Sequence, residues 1–185
     1  QSYANLSARP RVVLLLPLPI FLNDSRLFNN SVIKNKIIPK IQKIAFEKNL
    51  EVLDLFSMFI DKQDLFLDKI HPSSLGGTLI SKRLYELVKL DPVKRSKVFE
   101  KINEQKVISS FYGYSCADFT FQNRNCKIVS PKTITDGQPW IWRARFWGHE
   151  PQTDIALLER GFHVVYMDVS EMYGNEESIK LWNSF

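Results

Sequence analysis

The residues with the clearest chemical potential lie in one short stretch, Asp68-Lys69-Ile70-His71-Pro72. An imidazole works as a general base for a hydroxyl nucleophile when a carboxylate holds its tautomer and stabilises the imidazolium that forms. Two intervening residues on a tight loop let one segment supply both groups, with Asp68 orienting and His71 taking the proton of a serine elsewhere. A D-x-x-H pair on its own is a weak signal, because most such pairs on surface loops are solvated or structural. A second constellation runs from Trp140 to Asp154. There a strand-like run leads into Trp147-Gly148-His149-Glu150 and then a helix, an arrangement that aims backbone amides at an oxyanion. Gly148 permits close backbone approach. The amide would come from Phe146, Trp147 or Gly148.

Several elements must position these groups. Val12–Leu16 reads as a buried parallel strand bounded by Pro10, Pro17 and Pro19. A helix over about 31–48 follows, with Ile33, Ile37, Ile41 and Ile44 on one face and lysines on the rest; Pro39 should kink it or shift its start. Leu50–Leu55 reads as a second strand and 57–72 as an irregular loop. A helix over about 73–90 is capped by Ser73 or Ser74, with Leu75, Leu79, Leu84, Leu87 and Val88 on one face. Residues 91–106 are highly charged and read as an inter-module connector, helical in part. Beyond them come strand-like Ala117–Phe121 and Cys126–Pro131 around the turn at 122–125, and a third strand, Trp140–Phe146. A helix over 152–160 ends at Gly161, Phe162–Val169 forms a fourth strand, and a last helix starts near Asn175.

Composition narrows the function classes. Hydrophobic residues make up 44% and charged residues 24%, ordinary globular values. The net charge of +5 comes from scattered lysines and arginines without an interleaved aromatic groove, which argues against nucleic acid as a partner. Histidines occur at 71, 149 and 163, with no i, i+4 pairing, so no metal set is expected and no cofactor is called for. The Gly76-Gly77 pair follows a loop rather than a strand, which argues against a nucleotide-binding phosphate loop. No apolar run is long enough to span a bilayer, so no membrane partner is expected. Residues 1–10 lack the pattern of a signal peptide. Cys116 and Cys126 either form one bridge or are two separate apolar residues on neighbouring strands. N-x-S/T sequons stand at Asn5, Asn23 and Asn29. His149 is expected to hydrogen-bond its loop together and His163 to be structural. Trp140, Trp142 and Trp147 are either a sugar-stacking platform or core, with core the expected fate of at least two.

Asp68 to His71, followed by Pro72 and by Leu75-Gly76-Gly77 opening an amphipathic helix, resembles the last block of the SGNH (GDSL-type) hydrolases. The preceding strand ending in Pro17-Leu18-Pro19, the helix, and the strand ending in Asp54 extend the resemblance over about 9–90. It implies a partial flavodoxin-like α/β/α segment in which Asp68 and His71 are the last two triad members, acting on esters and often on acylated carbohydrates. The family's G-D-S and G-x-N-D blocks have no counterpart before Val12, and Asn23-Asp24 follows the wrong strand, so the serine is expected outside this chain. The stretch from about 112 to 185 resembles the start of an α/β-hydrolase sheet, which assigns Trp147 and Gly148 to the oxyanion loop of a second module. Gly113-Tyr114-Ser115-Cys116-Ala117 imitates a nucleophile elbow, but a strand follows it where the elbow needs a helix, so Ser115 is not expected to be catalytic.

The whole then reads as an α/β protein with three parts: an SGNH-type segment over 1–90, a linker over 91–108 and an α/β-hydrolase segment over 109–185. The expected function is a fragment of a serine esterase that deacylates carbohydrates. The resemblance implies secretion or a periplasmic location. This chain alone is expected to be inactive. The alternative is a non-catalytic binding or scaffold protein that retains esterase remnants.

Overall fold

The computed structural model describes residues 10–22, 29–91 and 94–185. The chain divides into two compact units, Gln1–Pro92 and Val93–Phe185, and is α/β overall. The sequons at Asn5 and Asn23 and the pair Asn23-Asp24 lie outside the described residues. Asn29 caps the first helix, its side-chain oxygen accepting from the Ser31 amide at 2.8 Å.

In the first unit, β1 (Val13–Leu15) pairs in parallel with β2 (Glu51–Leu53). The connection is one helical rod in three parts: α1 (Asn30–Val32), a π-helical turn at Ile33–Ile37, and α2 (Ile38–Glu47). Pro39 neither breaks nor sharply ends the rod. It lacks an N–H, and the wide turn before it, in which the Ile38 amide bonds to the Ile33 carbonyl, absorbs the gap in the ladder. That turn also corrects the expected buried face. One added residue moves the stripe from 33, 37, 41 and 44 to Ile33, Ile38, Ile41 and Ala45, leaving Ile37 and Ile44 exposed. Leu16, Val52 and Phe56 complete this core.

The stretch expected as loop after β2 instead begins with a helix, α3 (Leu55–Phe59). Asp54 caps it by accepting from the Ser57 amide at 2.9 Å. Five residues are too few to show a period in the sequence, yet Leu55, Phe56 and Phe59 all bury. Phe66 packs edge-on against both Phe59 and Phe21, with ring centroids 5.6 and 5.1 Å away. α4 (Ser74–Val88) is capped by Ser73. Its buried positions are Gly76, Arg83 and Leu87, whereas Leu75 and Val88, expected on the buried face, are exposed. The close approach of Gly76 to Pro72 turns the helix so that a glycine, not Leu75, faces inward. Arg11 ties the unit together. Its Nε donates to buried Glu51 at 2.9 Å, and its terminal nitrogens donate to the Leu87 and Leu90 carbonyls at the end of α4.

The second unit is a five-stranded sheet in the order β3-β4-β5-β7-β6. β3 (Lys106–Phe111), β4 (Tyr114–Phe121) and β5 (Arg124–Ser130) form an antiparallel meander. β7 (His163–Met167) lies antiparallel to β5 and parallel to β6 (Trp140–Arg143). α5 (Gln152–Leu158) joins β6 to β7, and α6 (Glu176–Ser184) follows β7. Successive strand residues face opposite sides. Val129, Val164 and Cys116 pack with Leu158 of α5 on one face, while Ile128, Val165 and Met167 pack with Leu181 and Trp182 of α6 on the other. The charged stretch from Lys94 is tied to this unit. Lys94 pairs with Asp136 at 2.6 Å, Arg95 donates to the Lys132 carbonyl, and Ile102 is buried in the sheet core. β3 begins inside that stretch.

Cys116 and Cys126 are free, buried and not opposite one another: Cys116 faces Val129 and Cys126 faces Phe119. Burial pushes both thiols up to about 11, which leaves them as small apolar residues.

Candidate functional site

Asp68 and His71 are brought together. His71 Nδ1–H donates to Asp68 Oδ2 at 2.6 Å, while Asp68 Oδ1 accepts from the Ile70 and His71 amides at 2.9 and 2.6 Å. The loop achieves this because Lys69 takes a left-handed conformation (φ 68°) and its amide bonds to the Phe66 carbonyl at 3.1 Å, curling the chain around the carboxylate. The Lys69 carbonyl in turn accepts from the Phe21 amide at 2.8 Å, which anchors the loop beyond the end of β1. Ser73 N–H donates to the Leu65 carbonyl at 2.7 Å on the other side. Both side chains are open to solvent, His71 77% and Asp68 56% exposed. Nε2, the nitrogen a nucleophile would use, has no protein partner among the described residues. The pair can therefore orient and polarise an imidazole, but no described serine completes it.

The His71 hydrogen bond, reinforced by the two amides, holds the Asp68 carboxyl well below its ordinary 3.8. A depressed carboxylate pKa means that the bonded loop is favoured above pH 3.8 and loosens only as pH falls through the lower folded value. In a carbon-detected NMR titration, the Asp68 carboxyl should show a midpoint under 3.8 that climbs back towards 3.8 in His71→Ala. An unchanged midpoint would remove His71 as the main cause.

The glycines after the loop have different jobs. A Cβ on Gly76 would lie 2.9 Å from Pro72 Cβ, pressing on the residue next to His71, whereas one on Gly77 meets nothing within 4 Å. Gly77→Ala should raise the stability of the first unit by about 0.5–1 kcal/mol in urea melts, the ordinary gain inside a helix. Gly76→Ala should forfeit that gain and shift the His71 ring resonances.

In the second unit, β6 ends at Arg143, three residues before the expected end, because Arg143 organises the loop beyond it. Arg143 donates to buried Asp154 Oδ2 at 2.7 Å, to the Phe146 carbonyl at 3.2 Å and to the His149 carbonyl. Phe146 (φ 54°), Gly148 (φ 75°) and Glu150 (φ 45°) alternate through left-handed conformations. The Trp147 ring packs on Phe111 and Tyr166, with centroids 4.9 and 5.4 Å away. Neither the Trp147 nor the Gly148 amide donates to a protein acceptor among the described residues. It is the His149 main chain, not its ring, that closes the loop. Of the three tryptophans at 140, 142 and 147, only Trp147 packs inward. Trp140 and Trp142 are exposed, which corrects the expectation that at least two would be core; both lie on β6, the outermost strand, where one flank is uncovered.

Ser115 lies within β4 opposite Ser110 and Ser130, in an antiparallel ladder with no helix after it. His163 is buried, with Nε2 2.6 Å from Ser96 Oγ and Nδ1 3.4 Å from the Pro139 carbonyl. No local pattern announces this Ser96–His163 contact, whose partners are 67 positions apart. Burial lowers the His163 pKa and no carboxylate among the described residues orients its ring; the contact clips the 94–97 segment to the start of β7. Among the described residues no group of His, Cys, Asp or Glu is arranged for a metal, and no helix is long and apolar enough to cross a membrane.

Comparison with known proteins gives one partial likeness. The chain is 32% identical over 82 residues to a protein named acetylxylan esterase from Xylanibacter ruminicola; the match covers 44% of this chain and 16% of that protein. It indicates an esterase relationship over part of the chain. No family model and no solved structure matches.

Proposed function

We propose that the chain contributes to a carbohydrate esterase that removes acyl, in the first place acetyl, groups through a serine mechanism. The observation that carries this is the Asp68–His71 pair, in which one carboxylate oxygen fixes Nδ1–H and the other is saturated by backbone amides, leaving Nε2 free to act as base. In this reading Asp68 and His71 belong to an SGNH-type module in the first unit. Its serine lies outside these residues. The parallel β1–β2 pair with its connecting helix, and the cap of α4 directly after the His71 loop, support that assignment.

The second unit is read as the opening of an α/β-hydrolase sheet. What supports this reading is an antiparallel strand beside two parallel ones with α5 crossing between β6 and β7; in it the Trp147 and Gly148 amides would be the oxyanion donors. The named relative supports acetylated xylan as the first substrate to try.

The test is acetate release from acetylated xylo-oligosaccharides by the protein expressed from its native reading frame, with the 185-residue chain in parallel. Release by the former and background rates from the latter are expected. Turnover by the 185-residue chain that vanishes in Ser115→Ala would overturn the assignment of both modules.

A further inference from the structure

The loops after β6 and β7 enclose a cavity of about 290 Å3 at the carboxyl edge of the parallel strands. In α/β sheets that edge is where ligands sit. The larger hollow of about 430 Å3 lies at the opposite edge, against Trp140 and His163, the first residues of their strands, and is mainly apolar.

The smaller cavity has an unusual wall. Trp142 packs against Trp182 at a tilt of 50° with centroids 4.4 Å apart, so its indole is braced from one side, and it remains 45% exposed. Tyr173 is 84% exposed. It does not swing freely: its hydroxyl donates to Glu171 Oε2 at 2.8 Å, while Glu171 Oε1 accepts from Arg145 at 3.0 Å. Glu171 and Tyr173 both take left-handed conformations (φ 66° and 50°), which side chains other than glycine seldom adopt. At the floor, Asn175 caps α6 through the Ser178 amide at 2.9 Å.

Flat, braced aromatic rings favour the C–H faces of a sugar, and a carboxylate and a guanidinium side by side offer an acceptor and donors to vicinal hydroxyls. Because Arg145 and Glu171 neutralise each other, the pocket has no net charge to attract an anionic ligand. The volume is at the lower end for small-molecule pockets, suited to one sugar ring with a substituent. We infer that Trp142, Tyr173, Arg145 and Glu171 form a subsite for a neutral pyranoside unit of the substrate chain. This rests on the carbohydrate-esterase reading for its substrate class, but not on Asp68 or His71.

The experiment titrates the 185-residue chain with xylotriose, following tryptophan emission and the indole N–H resonances. A saturable change with a dissociation constant in the millimolar range is expected, moving the Trp142 indole signal and not that of Trp140. Tyr173→Ala, an exposed change that should leave the melting curve intact, should weaken binding at least fivefold, and Trp142→Leu at least tenfold. Trp140→Leu should have no effect. No saturable change, equal binding in Tyr173→Ala, or tighter binding of trigalacturonate than of xylotriose would overturn the subsite. Acetate release by the native-frame protein without xylotriose binding here sinks the subsite alone; binding here without acetate release leaves the subsite standing and sinks the esterase reading.

Discussion

In protein expressed from its native reading frame, His71→Ala should lower kcat/KM for acetyl-ester hydrolysis by about 10^3–10^4-fold, and Asp68→Asn by a comparable factor, while both variants melt like the parent. The two losses arise differently. Alanine at 71 removes the proton acceptor. Asparagine at 68 keeps the shape, but its carboxamide presents a donor as well as an acceptor, and the imidazole can then flip to the tautomer whose Nε2 carries a proton and cannot accept another. The 2.6 Å Nδ1–Oδ2 contact and the two amides on Oδ1 are what the asparagine must imitate. Groups that act as a unit are not additive, so the double variant should be little worse than either single one. The measurement is steady-state hydrolysis of p-nitrophenyl acetate and of acetylated xylotriose. Less than a tenfold loss in His71→Ala would remove this loop from the chemistry.

The second large effect concerns stability. Asp154→Ala should destabilise the second unit by about 3–5 kcal/mol, the usual cost of deleting one partner of a buried pair. Asp154 is 3% exposed and Arg143 19%. Burial raises the Asp154 carboxyl above 3.8 despite the opposing pull of Arg143, and burial is the larger of the two influences. Removing the carboxyl is costly because it strands a guanidinium that holds the Phe146 and His149 carbonyls and so shapes the loop bearing the Trp147 and Gly148 amides. Asp154→Asn, which keeps an acceptor, should lose less. Urea unfolding followed by tryptophan emission distinguishes the cases, and a change under about 1 kcal/mol in Asp154→Ala would show that the loop organises itself by other means.

The sequence by itself determined what depends on neighbours along the chain. The Asp68–His71 pairing is legible because two intervening residues in a loop leave few ways to separate the groups. The cap at Ser73, the helix start near Asn175 and the stop at Gly161 are legible for the same reason: they satisfy backbone groups within a turn. Ser115 could be set aside on the strand that follows it. Only the tertiary structure decided which faces are buried and which distant residues meet. The π-helical turn before Pro39 shifted a buried face by one residue, and the contact between Gly76 and Pro72 turned Leu75 outwards. α3 hid in five residues that acquire a period only once a core exists to bury them. The Ser96–His163 clip and the Arg145–Glu171–Tyr173 chain join residues from separate segments, and no local pattern encodes them. Local hydrogen bonds and caps act over a few residues and leave marks in spacing. Burial and ion pairing act through space and depend on which surfaces the folded chain brings together.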